Sequence, residues 1–193
     1  MTSKEKMTWK RAALLLKEGA LGVIPTDTLY GICASALNKK AITQVYKLKK
    51  RKLGKPVIIL ISSFKDLSKF GIHLNSWQKK ILEKIWPGRI SVILPCHGST
   101  LAFRLPKNRE LLKIVEISGP LIAPSANWEG SKPAKNINQA KKYFGENVFY
   151  YNKGNLSNKA STLIDLTQKT KRIKILRIGA DYNKIKKIFD NIN

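Results

Sequence analysis

The sequence has little of what metal sites and nucleophilic active sites are usually built from. Its 193 residues include only two cysteines and two histidines. Cys33 and Cys96 form no CxxC pair, and neither histidine belongs to an HExxH pattern, so no zinc site is predicted. Walker A, GxGxxG and Gly-x-Ser-x-Gly patterns are also missing. The sequence therefore carries no signature of a P-loop, a dinucleotide-binding loop or a hydrolase triad.

Long apolar segments are missing as well. No apolar run approaches the roughly 20 residues that a membrane-spanning helix needs. The N-terminus, MTSKEKMTWK, lacks the apolar core of a secretory signal. We therefore expect a soluble, cytoplasmic protein without a membrane partner. Both cysteines stand near apolar runs, so we expect buried free thiols rather than a disulfide between them.

Acidic residues are scarce. Twelve Asp and Glu residues stand against 37 Lys and Arg, which gives a formal net charge of +25. Such an excess indicates a polyanionic partner: nucleic acid, nucleotide phosphates or an anionic membrane surface. The alternative is compositional, because Lys, Asn and Ile are all abundant, and the charge alone leaves the two accounts equally open. Hydrophobic residues make up 43% of the chain, which is enough for an ordinary folded core.

Helical and strand patterns are interspersed along the chain. We predict helices over residues 9–18, 39–49, 76–85, 109–117, 137–144 and from 181 onward. We predict strands over 21–24, 57–61, 90–94, 101–105, 121–123, 148–151, 163–166 and 173–178. Residues 64–74 fit either one helical turn or a loop. The expected class is α/β (or α+β), with an open, twisted, mixed sheet flanked by helices, in a single domain over 1–193.

Polar clusters follow several of the predicted strands. A loop over 25–31, which leads toward the second helix, contains Thr26, Asp27, Thr28 and Tyr30. The other clusters are Lys49 to Lys55, Ser125 with Asn127, Ser161 with Thr162, and Arg177. Each cluster alone fits a turn, a helix cap or a solvated helix end. Together they supply hydroxyls, an amide and cations, which suits nucleotidyl transfer, where positioning and charge stabilisation carry most of the catalysis.

An ordered set of motifs resembles the YrdC-like threonylcarbamoyl-AMP synthases. The matching segments are PTDTLYG (25–31), the KxR motif at Lys49 and Arg51, KPVIILI (55–61), WPGRISVILP (86–95), LAFRLP (101–106), APSANWEG (123–130), STLIDLT (161–167) and LRIG (176–179). The KxR and SxN motifs are short, but the whole ordered set is specific. The chain is similar to the short, single-domain form of the family. It departs from the family by having Trp128-Glu129 where a small residue usually follows SAN.

The resemblance implies a YrdC-like fold with a large basic concave face, and a nucleotidyltransferase activity. L-threonine, bicarbonate (or CO₂) and ATP would give L-threonylcarbamoyladenylate and pyrophosphate. That product feeds the N6-threonylcarbamoyl modification of adenosine 37 in tRNA. The implied partners are therefore tRNA and the downstream threonylcarbamoyl-transfer proteins. Mg²⁺ would accompany ATP, and no metal site built by the protein is expected.

The resemblance also implies roles for individual residues. The expected catalytic residues are Lys49 and Arg51, which would stabilise charge on the phosphates. The expected ATP-binding residues are Arg51, Lys55, Thr100, Ser125, Asn127 and Arg177. The expected threonine-binding residues are Thr28, Tyr30, Arg104 and Ser161, where Arg104 would pair with the substrate carboxylate.

The alternative function is a basic RNA-binding module, for tRNA or double-stranded RNA, without catalysis. The net charge of +25 supports both hypotheses. The hydroxyl and amide clusters favour the enzyme, because a simple RNA binder relies on stacked aromatics and Arg, and aromatic residues here are only 8% and scattered. RNA affinity that is independent of salt would count against the RNA module.

Overall fold

The helices begin where the sequence supplies a capping side chain. The side chains of Thr8, Asn38, Asn75, Asn108 and Asn136 each accept a hydrogen bond from the backbone N–H three residues further along. The computed structural model describes residues 7–156, 159–168 and 172–190. Within those residues the helices are α1 (Trp9–Lys17), α2 (Lys39–Leu48), α3 (Ser76–Ile85), α4 (Arg109–Ser118), α5 (Ile137–Phe144) and α6 (Tyr182–Asp190). None of these described helices is long and apolar enough to cross a membrane.

The strands of the described chain form one open, mixed sheet. They are β1 (Gly22–Pro25), β2 (Tyr30–Ser35), β3 (Ile58–Leu60), β4 (Ile90–Cys96), β5 (Ser99–Arg104), β6 (Leu121–Ile122), β7 (Phe149–Tyr150), β8 (Thr162–Asp165) and β9 (Lys174–Arg177). Their order across the sheet is β7-β1-β2-β6-β3-β5-β4-β8-β9. The pairs β7/β1, β3/β5 and β4/β8 are parallel, and the other neighbouring pairs are antiparallel. The mixed α/β class predicted from the sequence is therefore confirmed.

Strand β2 was missed by the sequence analysis. The loop predicted over 25–31 is correct for residues 26–29, but Tyr30 and Gly31 already belong to β2, so its predicted extent through Gly31 was wrong. The Thr26 N–H donates to the Leu29 carbonyl at 3.0 Å, so the polar residues form a tight turn and the chain folds back as a hairpin. β2 then runs antiparallel to β1. Five of its six residues are buried, so the sequence of β2 has no apolar–polar alternation to mark it as a strand.

Side chains of the strands alternate between two cores on opposite faces of the sheet. On one face, Val23 and Ile32 join the apolar sides of α2, α3, α5 and α6. On the other face, the next residues along the same strands, Ile24 and Cys33, pack with α1 and α4. Burial raises the pKa of the Cys33 thiol to about 12, and the expectation of a buried free thiol holds for it. Cys96 is also free, but it is only half-buried.

The second core stops short of four strands. Among the described residues, it contains none from β4, β5, β8 or β9. The side chains that these strands direct to that face include Ile93, Ala102, Arg104 and Leu163, and they line a cleft instead. Residues 64–74, for which the sequence fitted either a helical turn or a loop, contain a 3₁₀ helix (Phe64–Phe70). This helix packs on the first core through Leu67. The fold therefore leaves one part of a sheet face available for a ligand.

Candidate active site

A cleft of about 450 Å³ opens on the uncovered part of the sheet. Ile93, Ala102 and Leu163 form an apolar floor contributed by β4, β5 and β8. The walls come from the turn after β1 and from the segments that follow α2, follow β6 and precede β8. The volume falls in the range of pockets that bind small molecules.

Positive charge dominates this cleft. Lys49, Arg51, Arg104 and Arg177 line it, and Glu129 is the one carboxylate among the described lining residues. A surplus of cations in a partly enclosed space attracts an anionic ligand. The Nε atoms of Arg51 and Arg104 are buried and have no hydrogen-bond partner among the described residues. Buried donors are normally satisfied, so both guanidinium groups keep hydrogen-bonding capacity that the described residues do not use.

Lys49 ties two segments of the wall together. It is 2% exposed, and its Nζ donates to the backbone oxygens of Ser125 at 2.6 Å and of Asn127 at 2.8 Å. Burial is the main cause that lowers the pKa of Lys49, the charge of Arg51 adds to it, and Glu129 opposes both, which leaves a pKa of about 8. The Lys49 amino group is therefore a fixed cation that loses its charge at moderately alkaline pH.

The side chains of Ser125 and Asn127 shape their own loop. Ser125 Oγ donates to Asn127 Oδ1 at 2.6 Å. The Asn127 amide donates to the backbone oxygens of Trp128 at 2.6 Å and Ser131 at 2.9 Å. Both residues line the cleft, but in this structure their donors are engaged within the loop. A phosphate oxygen would have to replace one of these bonds.

The turn between β1 and β2 presents a hydroxyl oxygen to the cleft. Thr26 Oγ1 donates to the Leu29 carbonyl at 2.6 Å, so in its 3.0 Å contact with Thr28 Oγ1 the donor is Thr28. The Thr28 oxygen, which lines the cleft, is then left as an acceptor. Tyr30 lies deeper, and its hydroxyl donates to the Gly154 carbonyl at 2.8 Å. Burial raises the pKa of Tyr30, so this phenol stays protonated at neutral pH.

A buried ion pair joins this turn to β5. Arg104 Nη2 lies 3.0 Å from Asp27 Oδ1, and the two side chains are 4% and 7% exposed. Burial lowers the pKa of Arg104, and the Asp27 carboxylate opposes that effect. The contact is close but poorly aligned, since neither Asp27 oxygen has a hydrogen-bond partner among the described residues. The charge of Arg104 is therefore the main compensation for burying the Asp27 carboxylate.

Ser161 connects β4, β8 and β9 at the far wall. Its Oγ lies 2.8 Å from Ser91 Oγ and accepts a hydrogen bond from Arg177 Nη2 at 3.0 Å. Arg177 Nε also donates to the Ser161 carbonyl at 3.0 Å. Burial, together with the charge of Arg104, lowers the pKa of Arg177. Ser161, expected at threonine, and Arg177, expected at the nucleotide, thus belong to one hydrogen-bonded group.

The structure brings most of the expected site residues together. Those that line the cleft are Thr28, Tyr30, Lys49, Arg51, Arg104, Ser125, Asn127, Ser161 and Arg177. Lys55 and Thr100 are not among the lining residues. Thr100 is exposed on β5, two residues before Ala102 and therefore on the same face, beyond the floor. Lys55 reaches the cleft wall through its hydrogen bond to Glu129.

Three residues of this site received no role from the sequence. Glu129 Oε1 accepts from Lys55 Nζ at 2.6 Å and lies 3.5 Å from Arg51 Nη1, a contact between segments distant in the chain. Asp27 stands in the polar turn, but nothing in the sequence around it indicates that it pairs with Arg104. Ser91 was detectable as the polar residue of an apolar strand. Among the described residues, no group of three or more His, Cys, Asp or Glu side chains could hold a metal ion.

Comparison with known proteins identifies the family. The model of the Sua5, YciO and YrdC proteins, described as "Telomere recombination", matches residues 14–179. The chain belongs to the Sua5/YciO/YrdC family. The matched range of this Sua5/YciO/YrdC domain includes every cleft-lining residue named above. The resemblance on which the sequence analysis rested is thereby confirmed.

Relatives within the Sua5/YciO/YrdC family include named synthases. The threonylcarbamoyl-AMP synthase of Pyrococcus abyssi is 31% identical over 170 residues, which cover 81% of this chain and 50% of the relative. A putative threonylcarbamoyl-AMP synthase of Mycobacterium leprae is 31% identical over 181 residues, 87% of this chain and 81% of the relative. The crystal structure of P. abyssi Sua5 complexed with L-threonine has a TM-score of 0.84 at 28% identity, and the match covers 95% of this chain and 58% of that one. The chain thus spans about half the length of the Pyrococcus relative.

Proposed function

We propose that this chain is an L-threonylcarbamoyladenylate synthase, a nucleotidyltransferase that combines L-threonine, bicarbonate (or CO₂) and ATP and releases pyrophosphate. The observation that carries the proposal is the cationic cleft, lined by Lys49, Arg51, Arg104 and Arg177 with Glu129 as the one carboxylate among the described lining residues. Relatives named threonylcarbamoyl-AMP synthase, and a similar Sua5 structure complexed with L-threonine, support this chemistry.

Threonine would bind on the side of the cleft formed by β5 and the turn after β1. Its carboxylate would accept hydrogen bonds from Arg104, whose Nε is free of partners among the described residues. The Thr28 oxygen, already an acceptor, suits the substrate amine, and Tyr30 and Ser161 complete the walls. The neutral amine would attack the carbon of CO₂, forming a C–N bond and releasing a proton. The product of this step is a carbamate.

ATP would bind along the wall that carries Lys49, Arg51 and Ser125, and would reach Arg177 beside Ser161. The carbamate oxygen would attack the α-phosphorus, and the bond to the bridging oxygen would break as pyrophosphate leaves. Lys49 and Arg51 are the proposed catalytic residues, because they hold positive charge where negative charge builds up. The other proposed ATP-binding residues are Lys55, Thr100, Ser125, Asn127 and Arg177. Mg²⁺ would enter with the phosphates, which, with water, supply most of its usual ligands.

The adenylate is a reactive product that another protein must consume. We propose that downstream threonylcarbamoyl-transfer proteins use it to modify adenosine 37 of tRNA in the cytoplasm. The net charge of +25 supports a direct contact with tRNA, since a basic surface attracts the phosphate backbone.

The proposed reaction predicts pyrophosphate release that depends on threonine. The purified chain should release pyrophosphate from ATP only when threonine and bicarbonate are both present, and labelled threonine should appear in an adenylate. Omitting threonine or bicarbonate provides the control. Pyrophosphate release that is unchanged without threonine, or no release at all, would exclude the proposed activity.

The lowered pKa of Lys49 predicts an alkaline limb in the pH profile of the reaction. The amino group is charged below its pKa of about 8 and neutral above it, so stabilisation of the phosphates should weaken as pH rises through that value. We expect kcat/KM for ATP to fall above about pH 8, because kcat/KM follows the ionisation of the free chain. Arginine retains its charge throughout this range, so Lys49→Arg should lose this limb whatever its absolute rate. A wild-type kcat/KM for ATP that stays level to pH 9.5 would contradict the role of Lys49.

A further inference from the structure

Glu129 is a carboxylate in a cleft that is otherwise suited to anions. Its side chain lies against Lys55 and Arg51, at 2.6 Å and 3.5 Å, and both contacts end on the same oxygen, Oε1. The hydrogen bond from Lys55 is the first cause that lowers the pKa of Glu129, and the charges of Arg51, Lys55 and Lys49 add to it. The group is therefore ionised at neutral pH. Two of the cations proposed for ATP already have an anionic partner within the chain.

The backbone that carries this carboxylate is firmly attached. The Glu129 N–H donates to the Lys49 carbonyl at 2.8 Å. The preceding residue, Trp128, donates its indole N–H to the Tyr143 carbonyl at 3.0 Å, and Lys50 Nζ lies 3.5 Å from the centroid of its ring. The backbone is thus held at Trp128 and at the Glu129 N–H. The Glu129 side chain is the part that can rearrange without breaking these contacts.

The ion pairs of Glu129 are easy to exchange. Lys55 is 49% exposed and the Glu129 side chain is 27% exposed, and ion pairs in contact with water contribute little to stability. A phosphate chain carries several charged oxygens and can accept charge-assisted hydrogen bonds from Arg51 and Lys55 on separate oxygens, whereas Glu129 meets both with the single oxygen Oε1.

We propose that Glu129 is an internal competitor for the phosphate chain: it occupies Arg51 and Lys55 in the empty cleft, is displaced by ATP, and returns as pyrophosphate leaves. The competition sets the affinity for the phosphate chain and keeps pyrophosphate from remaining bound. This inference rests on the proposed function only in assigning the phosphate chain to ATP. The competition itself is a property of the cleft and is measurable without turnover.

The test is the affinity of the full chain for inorganic pyrophosphate, measured by isothermal titration calorimetry without Mg²⁺ or threonine. Glu129→Gln removes the competing charge and keeps the shape of the side chain. We expect its Kd to fall by roughly two- to fivefold, the size expected when an exposed charge pair is removed. Glu129→Asp keeps the charge in the cleft, and its Kd should stay close to that of the wild type.

Glu83→Gln is the matched control. Glu83 is 55% exposed on α3 and lies 4.0 Å from Lys79, so its replacement changes the net charge equally but far from the cleft residues. We expect an unchanged Kd for this variant. An equal fall in Kd for Glu83→Gln would show that the net charge of the chain alone sets the pyrophosphate affinity. If Glu129→Gln bound pyrophosphate as tightly as the wild type or more weakly, the carboxylate would instead organise the cations. Either result overturns the proposal, and so does a wild-type chain that binds no pyrophosphate.

The proposed function can fail separately. If the wild type forms no threonylcarbamoyladenylate but Glu129→Gln still binds pyrophosphate more tightly than the wild type, the competition stands and the proposed reaction does not. If the wild type forms the adenylate but binds pyrophosphate as tightly as Glu129→Gln does, the proposed reaction is supported and the proposed competition is wrong.

Discussion

Replacing Arg51 with alanine should lower the rate of threonylcarbamoyladenylate formation by about 10²- to 10³-fold, the usual effect of removing one preorganised donor from a charged transition state. Arg51 is suited to this role because it lines the cleft and its Nη2 donates to the Pro56 carbonyl at 3.0 Å, which fixes the guanidinium. The rate is measured as threonine-dependent pyrophosphate release under saturating substrates.

The matched control for Arg51 is its neighbour Lys52. Lys52 is exposed in the same segment and is not among the cleft-lining residues, so Lys52→Ala removes the same charge without removing a donor from the site. We expect this variant to stay within about threefold of the wild type, since exposed charges contribute little. Equal losses for the two variants would mean that the segment acts through its overall charge, and the assigned role of Arg51 would be wrong.

Replacing Arg104 with leucine should lower the free energy of unfolding by about 3–5 kcal/mol, because it leaves the buried Asp27 carboxylate without its compensating charge. The two side chains are only 4% and 7% exposed, so the Asp27 carboxylate has little contact with water and relies on the guanidinium. Urea unfolding at pH 7 measures the loss. The same variant should lose threonine-dependent turnover, because the proposed partner of the substrate carboxylate is gone.

Two further variants separate the effect of the unpaired Asp27 charge from the effect of losing the Arg104 side chain. Adding Asp27→Asn to Arg104→Leu removes the unpaired charge, so the double variant should recover much of the stability but none of the activity. Arg89→Leu breaks an ion pair with Asp181 in which Arg89 is 40% exposed, and it should cost about 1 kcal/mol or less. If Arg104→Leu were no more destabilising than Arg89→Leu, the burial of the Asp27 pair would not have its assigned effect.

The helices were predictable because their signals are local. Asn38, Asn108 and Asn136 each cap a helix through a side chain three residues from its partner, so cap and apolar spacing lie within one short window. The order of strands in the sheet was not predictable in the same way. Strand β2 pairs with β6, whose residues lie far along the chain, and no local pattern encodes such a neighbour.

The same distinction holds for the candidate site: its local features could be predicted, and its contacts between distant segments could not. The residue types and their positions beyond strands indicated hydroxyls and cations for a phosphorylated ligand, and the motif order identified the family. What each group does in the empty cleft depends on contacts between distant segments. The Lys49 amino group binds the Ser125 carbonyl across 76 residues of chain, and Glu129 meets Lys55 across 74. Neither contact leaves a mark in the local sequence around either partner.

The alternation of side chains on β5 has a consequence for how such a protein can diverge. Phe103 is fully buried in the main core, while its neighbour Ala102 belongs to the cleft floor. Selection for another substrate can therefore act on positions 93, 102 and 163 without altering the packed layer beneath them. Variation among descendants should accumulate at every second residue of these strands, so that substrate range and folding stability evolve as nearly separate traits.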